Sequence, residues 1–425
     1  MRPRNFDILT YGRSYPDARI VKPWRTIHVD AERAGGWTVA GDLDGDGEAE
    51  LVSARNNPEG LSQEVMSVIT HKLDGTVLWE WGSPERGVAR LGYDVACQVY
   101  DWDGDGQLEV VVTGRDQVIE LDGATGKERR RLPVPQDAAD CLTFVNLSGG
   151  DRATDFLVKT RYEQIWAFDR DGRELWDITL PGGRKTAHQV FPVDIDADGR
   201  EELIAGYAML NPDGSVRWKL QAAEELPEGI GAHLDCARVF TAADAPADWR
   251  FVVTCCANER LAMVDGEGKT VWAIDNRHYE SIDVCSLYAD SAEKQIVVDV
   301  AKSEAAVAPI HVLDGDGDLL GKLFTWNSRI HFPVDWDGTG TDLIAVGGER
   351  ALFDGMGEKV VIFDIPDADD SASYVIGRAD MTGDGIPDVV IVADNGAGLY
   401  VYRNEHGGMS SPELPLLTNV NYTLY

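Results

Sequence analysis

Residues 184–202 read RKTAHQVFPVDIDADGREE, and this stretch combines two features that recur along the whole chain. Its middle, residues 189–193, is a short apolar segment typical of a buried strand. Its end, residues 194–202, is a carboxylate loop of the form D-x-D-x-D-G. Related loops read DLDGDGEAE from Asp42, DWDGDGQLE from Asp101, DWDGTGTD from Asp335 and DMTGDGIPD from Asp380. The stretch therefore predicts a repeated unit in which a strand leads into an acidic loop and a second strand follows.

Each complete unit contains four short apolar segments. In the first unit these are WTVAG (37–41), ELVSA (50–54), VMSVITHKL (65–73) and TVLWEW (76–81). An Asp-Gly pair separates the third segment from the fourth, which is a strong hairpin signal. Eight such units follow one another, and four short strands in about 45 residues match the blade of a β-propeller. The sequence predicts an all-β closed propeller with eight blades of four antiparallel strands, and a seven-bladed ring is the alternative.

The eighth unit lacks a fourth strand of its own. The N-terminal segment, residues 1–35, holds little pattern beyond an apolar segment at 25–29, and the chain ends in VNYTLY (420–425). Either of these segments is expected to complete the last blade, because closure removes exposed sheet edges. Residues 36–425 are expected to form a single propeller domain.

The composition restricts the partners of the protein. Asp and Glu outnumber Lys and Arg by 73 to 39, which gives a formal net charge of −34. A negative field of this size repels nucleic acid and anionic lipid, so neither is expected as a partner. The N-terminus shows no signal peptide, which predicts a cytoplasmic protein, or a secreted or periplasmic one if a leader was removed. The oligomeric state is left open.

The six cysteines show no C-x-x-C spacing. They are interpreted as buried, reduced thiols. The alternative is a Cys/His metal site built from Cys97, Cys236 and His233.

The acidic loops predict structural Ca²⁺, and no organic cofactor is expected. Alternate aspartates in a tight loop converge, a glutamate closes from the next strand, and calcium prefers six to eight such oxygens. These loops resemble the calcium loops of integrin-type FG-GAP repeats, in which the ion is structural. The alternative is an Asx-turn connector without an ion. The candidate ligands are Asp42, Asp44, Asp46, Glu50, Asp101, Asp103, Asp105, Glu109, Asp194, Asp196, Asp198, Glu202, Asp335, Asp337, Asp380, Asp384 and Asp388.

Basic, imidazole and phenol side chains gather at the opposite ends of the predicted strands. They stand where first strands begin or second strands end: Arg55, Tyr93, Lys159, Arg161, Tyr162, Arg184, Lys185, His188, Tyr207, His233, His278, Arg329 and His331. Each of them taken singly is more often a structural residue. Together they predict a shallow funnel that suits an anionic ligand.

Tryptophan recurs at one place in the fourth segment of several units, at Trp79, Trp176, Trp218 and Trp272. This repeat predicts packing between blades. It also looks like the tryptophan repeat of quinone-dependent dehydrogenase propellers, a likeness of packing that implies no cofactor.

Several longer segments of the sequence resemble those of propeller-fold polysaccharide lyases. They are AGDLDGDGEAELVSARN, DVACQVYDWDGDG, RKTAHQVFPVDIDADG, GYAMLNPDGSVRW and the terminal NYTLY. The closest types are ulvan lyases and rhamnose–glucuronate lyases, and rhamnogalacturonan lyases are more distant. The resemblance implies β-elimination at a uronic acid, with histidine and tyrosine as proton-transfer groups and an arginine on the carboxylate.

Carried onto this sequence, the resemblance makes His188, Tyr162 and Arg184 the first catalytic candidates, followed by Tyr93 and His233. The expected substrate is an anionic poly- or oligosaccharide such as ulvan, gum or pectic fragments. The substrate-binding candidates are Arg55, Arg161, Tyr207, His278, Arg329 and His331. Two other functions stay open: a rhamnosidase-like glycoside hydrolase and a non-catalytic carbohydrate-binding propeller.

Overall fold

The computed structural model describes residues 6–10, 12–58, 64–89, 96–301, 309–325, 330–366, 368, 374–393 and 397–407. These residues form eight sheets of the propeller type, in which the blade strands pair antiparallel, and this confirms the predicted eight-bladed all-β fold. Three short strands precede the first blade: β1 (Phe6–Leu9), β2 (Arg19–Val21) and β3 (Arg25–His28).

The first four blades follow in chain order. Blade 1 contains β4 (Trp37–Gly41), β5 (Glu50–Asn56), β6 (Val65–His71) and β7 (Val77–Gly82). Blade 2 contains β8 (Cys97–Tyr100), β9 (Glu109–Thr113), β10 (Gln117–Asp122) and β11 (Glu128–Pro133). Blade 3 contains β12 (Leu142–Val145), β13 (Asp155–Lys159), β14 (Ile165–Phe168) and β15 (Glu174–Ile178). Blade 4 contains β16 (Thr186–Val193), β17 (Glu202–Gly206), β18 (Ala208–Leu210) and β19 (Val216–Lys219).

A short helix, α1 (Gln221–Glu224), separates the two halves of the chain. Blade 5 contains β20 (Leu234–Thr241), β21 (Arg250–Cys255), β22 (Arg260–Asp265) and β23 (Thr270–Asp275). Blade 6 contains β24 (Tyr279–Cys285), β25 (Gln295–Val300), β26 (Pro309–Leu313) and β27 (Leu319–Phe324). Blade 7 contains β28 (His331–Val334), β29 (Leu343–Val346), β30 (Ala351–Phe353) and β31 (Lys359–Phe363). Blade 8 contains β32 (Tyr374–Ala379), β33 (Asp388–Ala393) and β34 (Gly398–Tyr402).

Strand β3 completes blade 8 by pairing antiparallel with β34, with Arg25 opposite Val401. A shared core of blades 8 and 1, which includes Ile27, Leu51 and Val390, joins the two ends of the chain. The other proposed closing segment, VNYTLY, lies outside the described residues.

The N-terminal segment also forms two strand pairings that its sequence did not predict. Strand β1 pairs parallel with β27 at the outer edge of blade 6, and β2 pairs parallel with β31 at the outer edge of blade 7. The ring of Phe6 packs against Gly321, where a Cβ atom would lie 2.2 Å from that ring. The segment therefore covers two sheet edges as well as supplying a strand.

The tryptophan repeat explains how neighbouring blades are held together. The Trp79 indole donates to the Gly123 carbonyl at the Asp-Gly turn of the next blade, at 2.6 Å. At that turn Gly126 has φ +66°, and a Cβ there would lie 2.5 Å from the indole. Equivalent bonds run from Trp176 to Pro212, from Trp218 to Gly266 and from Trp272 to Gly315. The predicted packing between blades is confirmed.

The blade topology defines two faces of the ring. The acidic loops connect first strands to second strands, so they share one face, which we call the loop face. First strands begin and second strands end on the other, the entry face. First strands of neighbouring blades contact one another: β16 contacts β20, and β20 contacts β24. The first strand of each blade is therefore the innermost one in the ring. None of the described helices has the length and apolar character needed to cross a membrane.

Candidate functional site

A buried carboxylate, Asp235, is the centre of the candidate site on the entry face of blades 3 to 6. We define the Asp235 cluster as Asp235 with His188, His233, Cys256 and His278. His188 lies in β16, His233 and Asp235 at the start of β20, Cys256 just after β21, and His278 just before β24. Ring curvature therefore brings together strand ends that are far apart in the sequence.

The two oxygens of Asp235 have different surroundings. Oδ1 lies 3.4 Å from His188 Nε2 and 3.2 Å from His233 Nε2. Oδ2 is buried and lies 3.8 Å from His278 Nε2, and it makes no hydrogen bond with any of the described residues. Burial of the carboxylate opposes its charge, but the hydrogen bonds from His188 and His233 lower the pKa of Asp235.

The far side of the cluster pairs an imidazole with a thiol. His278 Nδ1 lies 3.8 Å from Cys256 Sγ, and its Nε2 lies 3.3 Å from Glu280 Oε1. Hydrogen bonds to Cys256 and Glu280 raise the pKa of His278 to about 10. Burial disfavours the Cys256 thiolate, but hydrogen bonds with His233 and His278 lower the thiol pKa to about 7.

His188 was predicted to be the central proton-transfer group, and the structure corrects this role. Its side chain is only 3% exposed, and the Arg161 guanidinium lies 2.8 Å from its Nδ1. A guanidinium only donates hydrogen bonds, so Nδ1 accepts and the ring proton sits on Nε2, toward Asp235. His188 thus contacts the Asp235 carboxylate from a buried position.

His188 belongs to a buried network of charged side chains that includes Arg161, Asp140 and Lys159. Arg161 Nη1 lies 3.1 Å from Asp140 Oδ1, and Lys159 Nζ lies 2.5 Å from Asp140 Oδ2. Lys159 also donates to the Arg161 carbonyl at 2.8 Å. Arg161, predicted to bind substrate, is therefore committed to Asp140 and His188.

Tyr162 occupies the mouth of the site. Its ring centroid lies 4.6 Å from that of His233 and 5.5 Å from that of His188. Two cations flank the ring, with Lys185 Nζ at 4.9 Å and Arg161 Cζ at 5.1 Å from the centroid. Burial raises the pKa of the phenol, although Arg161 acts in the opposite direction. Tyr162 therefore carries its proton at neutral pH.

Arg184 has a different role from the predicted carboxylate clamp. Its guanidinium donates to four backbone carbonyls, those of Ala223, Leu226, Pro227 and Ile230, at 2.8–3.0 Å. It therefore stabilises α1 and the turn that follows. The adjacent Lys185 faces the site instead, with a side chain that is 34% exposed.

Three predicted substrate-binding residues also turn out to be structural. Arg55 donates to the carbonyls of Ala31 and Ala34, which precede blade 1, and of Gly87, which follows it. Tyr207 is buried in the core of blades 4 and 5, and its hydroxyl donates to Asn258 Oδ1 at 2.7 Å. His331 is fully buried in blade 7, with Nδ1 2.7 Å from Asp283 Oδ2. Tyr93 and Arg329 lie outside the described residues.

Sequence reasoning missed Asp235, Cys256 and Asp140 as members of the site. A signal was present for Asp235, because HLD at 233–235 and HYE at 278–280 both place an acid two residues after a histidine. Alternate residues of a strand share a face, so each acid stays beside its imidazole. The same rule turns Cys236 away from the cluster, and Cys97 lies in the core of blades 1 and 2. The alternative grouping of Cys97, Cys236 and His233 is therefore not formed, and none of the six cysteines makes a disulfide.

Three acidic loops on the loop face bring carboxylates together. In each, the donor oxygens of two aspartates and a glutamate lie within 4.8 Å of one another: Asp42, Asp44 and Glu50; Asp101, Asp103 and Glu109; Asp194, Asp196 and Glu202. Oxygen donors of this kind are those that calcium prefers, so these residues fit the ion. Burial raises the pKa of Glu50 and of Glu109 to about 7.

A basic side chain shares the oxygens of each of these loops. Lys72 Nζ lies 2.5 Å from Asp44, Arg129 Nη1 lies 2.5 Å from Glu109, and Arg217 Nη1 lies 2.8 Å from Glu202. A bound ion would have to compete with that ammonium or guanidinium group.

The remaining predicted ligands make other contacts. Asp46 pairs with Lys72, while Asp105 and Asp198 accept backbone N–H groups of their own loops. Asp335, Asp380 and Asp388 also accept backbone N–H groups. Asp337 pairs with Arg19, and Asp384 lies 3.6 Å from Arg403.

Comparison with known proteins agrees with the fold. A family model described as the outer membrane protein assembly factor BamB matches residues 64–226. These residues carry Trp79, Trp176 and Trp218, which are three members of the tryptophan repeat.

The curated relatives include two lyases of Bacillus subtilis. The rhamnogalacturonan exolyase YesX is 25% identical over 86% of this chain and 70% of its own length. The rhamnogalacturonan endolyase YesW is 26% identical over 41% of this chain and 38% of its own length. Among solved structures, a rhamnogalacturonan lyase of Bacillus licheniformis has a TM-score of 0.61 at 19% identity, covering 96% of this chain and 79% of its own. The chain is thus similar over most of its length to propeller-fold polysaccharide lyases, which confirms the resemblance in its sequence.

Proposed function

We propose that the protein is a polysaccharide lyase that cleaves a glycosidic bond at a uronic acid by β-elimination. The observation that carries the proposal is the environment of Tyr162. Its ring packs against His233 and lies 4.9 Å from the partly exposed ammonium group of Lys185, on the face opposite the acidic loops. The buried Arg161 is engaged by Asp140 and His188. In a chain of net charge −34, such a cationic site is suited to an anionic sugar. The similarity to two rhamnogalacturonan lyases supports the reaction type.

Each step of the elimination has a candidate residue at the mouth of the site, close to Tyr162. The proton next to a uronate carboxylate is weakly acidic, and a cation on that carboxylate stabilises the charge that develops when the proton leaves. We assign this role to Lys185, because the guanidinium of Arg184 is occupied by carbonyl groups.

A base must take the proton and an acid must protonate the leaving oxygen. Tyr162, which carries its proton, is the proposed acid, and the neutral imidazole of His233 is the proposed base. Burial opposes the charge of His233, but hydrogen bonds to Asp235 and Cys256 raise its pKa to about 9, so the neutral form is populated in alkaline solution.

The proposed substrate is a glycan that alternates rhamnose and a uronic acid. The similarity to rhamnogalacturonan lyases favours a pectic glycan over ulvan or gum. Ulvan and gum arabic are included in the experiment as alternative substrates. A glycoside hydrolase needs two carboxylates that face the sugar. The carboxylates that influence the pKa of Tyr162, Asp140 and Asp235, are instead buried and bonded to basic groups, which favours elimination.

The test is incubation with rhamnogalacturonan, ulvan and gum arabic, with two measurements on each reaction. Ultraviolet absorbance reports the unsaturated uronate that only elimination forms, and a reducing-end assay reports any cleavage. A lyase produces both signals. Reducing ends without absorbance would indicate a hydrolase and overturn the proposal. Neither signal on any of these glycans would favour a binding propeller.

A further inference from the structure

The side chain of Lys185 runs across the backbone of Gly231 toward the mouth of the candidate site. A Cβ atom at position 231 would lie 2.6 Å from Lys185 Cε, 3.2 Å from Cδ and 3.4 Å from Cγ, so the lysine occupies the space that a side chain would need. We propose that Gly231 is a positioning residue, which holds the Lys185 ammonium group beside Tyr162 and thereby makes the site selective for a sugar acid with a free carboxylate. The inference rests on the proposed function, in which Lys185 binds the carboxylate of the uronate.

The backbone on both sides of the Lys185 α-carbon is fixed. The N–H group of Lys185 donates to the carbonyl of Ala232 at 2.9 Å, and the N–H group of Thr186 donates to the carbonyl of Tyr162 at 2.8 Å. The first bond ties the start of blade 4 to the segment that leads into blade 5, and the second ties it to the turn that follows the second strand of blade 3. The torsions of the lysine side chain therefore decide where its ammonium group lies.

The segment that carries Gly231 is also fixed. Arg184 donates to the carbonyl of Ile230 at 2.8 Å and to three carbonyls between residues 223 and 227. The N–H group of Gly229 donates to the carbonyl of Gly182 at 3.3 Å. Because these bonds hold residues 229–230 against residues 182–184, Gly231 stays in contact with the lysine side chain.

The ammonium group of Lys185 lies at the surface of the mouth, where a ligand can reach it. Its Nζ atom is 4.9 Å from the centroid of the Tyr162 ring and 3.8 Å from Glu163 Oε1. The Glu163 side chain is 71% exposed, and an exposed ion pair of this kind contributes little free energy. The carboxylate of a bound sugar can therefore replace that of Glu163. A methyl ester of the same sugar carries no charge, so the ammonium group distinguishes the free acid from its ester.

An alanine at position 231 separates positioning from folding. Gly231 does not have a positive φ, so alanine can adopt its backbone conformation. The three atoms nearest to the added methyl group all belong to the flexible side chain of Lys185, so we expect the lysine to move and the fold to persist. The matched control is Gly150→Ala on the loop face. Gly150 also lacks a positive φ, and the atom nearest to its added Cβ is 3.8 Å away.

The experiment measures binding of a disaccharide in which galacturonate is linked to rhamnose and its C4 hydroxyl is free. This probe has no glycosidic bond at that carbon, so elimination cannot consume it. Isothermal titration gives Kd for the free acid and for its methyl ester. The wild-type protein should bind the free acid roughly tenfold more tightly than the ester. Gly231→Ala and Lys185→Met should each remove most of this preference, and their combination should remove no more than either alone. Gly150→Ala should retain it.

Three results would overturn the proposal: wild-type protein that does not bind the acid more tightly than the ester, an undiminished preference in Gly231→Ala, or a further loss when the two substitutions are combined. Lys185→Met removes the same charge without changing position 231, and a preference retained there would overturn the proposal even if Gly231→Ala did not fold. Selective binding of the disaccharide without unsaturated product from any polymer would overturn only the proposed elimination. Product formation without discrimination between acid and ester would overturn only this inference.

Discussion

The loop face and the entry face use carboxylates in opposite ways. On the loop face, three repeated loops each hold several carboxylates around one basic side chain, at Lys72, Arg129 and Arg217. On the entry face, the carboxylate of Asp235 is shared by His188, His233 and His278. One face repeats a motif that neutralises exposed charge. The other builds a single buried site from strand ends that differ from blade to blade.

This difference separates scaffold from chemistry. The aspartates of the loops are exposed or half-buried and are screened by water and salt, so their individual contributions are modest, whereas the closing glutamates, Glu50, Glu109 and Glu202, are buried. Buried charges on the entry face interact in a medium of low polarity, where geometry sets their protonation. Substitutions on the two faces should therefore differ in kind: activity should respond on the entry face, and ion binding on the loop face.

The largest expected effect is that of Tyr162→Phe. Removal of the hydroxyl eliminates a proposed proton-transfer group, whose loss typically costs about 10²–10⁴-fold in rate. The fall in kcat should leave the melting temperature nearly unchanged, because the ring still packs on His233. The measurement is unsaturated-uronate formation on the confirmed glycan. An equal loss in Arg217→Met, on the loop face, would break the comparison.

The neighbours Arg184 and Lys185 should give opposite phenotypes. Arg184→Ala leaves four carbonyls without their donor and should lower the free energy of unfolding by about 3 kcal/mol. Lys185→Met should lower turnover of uronate substrates roughly tenfold and preserve stability, because it removes one cation from the Tyr162 ring. Denaturant unfolding and steady-state kinetics distinguish the two. Normal stability in Arg184→Ala would contradict the assignment.

His331 should make stability depend on pH. Burial opposes its charge, but Asp283 and Asp299 raise its pKa to about 9 in the folded state, above the unfolded value of about 6.5. Its contribution is therefore complete below about pH 6.5 and is lost as the pH rises through 9. The upper limit of this contribution to the free energy of unfolding is about 3 kcal/mol. Burial and the nearby Glu280 raise the pKa of Asp299, and this opposing effect reduces the net contribution of the pair. Denaturant titrations between pH 6.5 and 9 should show a slope that His331→Gln flattens. An unchanged slope would contradict the prediction.

Calcium in the acidic loops remains a prediction. An ion that binds only the folded state adds about 2.7 kcal/mol at a concentration of about 100 times Kd. A calcium-selective chelator should therefore lower the melting temperature, and added calcium should restore it. If the melting temperature stays unchanged and elemental analysis finds no calcium, the loops are Asx-turn connectors held by their basic side chains.

The smallest expected effect is that of Arg217→Met on calcium affinity. Arg217 contacts Asp196 at 2.9 Å and Glu202 at 2.8 Å, so it competes for two of the proposed ligands. Its removal should tighten calcium binding at this loop by roughly fivefold. Isothermal titration measures the change. Lys269→Met is the matched control, because Lys269 pairs with Glu267 outside these loops and its loss should leave the affinity unchanged.

The sequence by itself determined the fold and the place of the acidic loops in it. Strand alternation, Asp-Gly turns and the place of Trp79 and its repeats are local signals, because each depends on residues close together in the chain. They predicted eight blades and the position of the acidic loops. They did not reveal strands β1 and β2, because these short strands pair in parallel with the outer edges of blades 6 and 7 and repeat no part of the four-strand unit.

Only the tertiary structure decided which side chains meet. Arg184 and Lys185 are adjacent and equally basic, yet carbonyls from residues 223–230 bind the first and leave the second at the mouth. His188 matches its predicted place, but Arg161 and Asp235 occupy both of its nitrogens. The reason is physical: a repeat sets where each strand begins, whereas the role of a polar side chain depends on partners that ring closure brings from other blades.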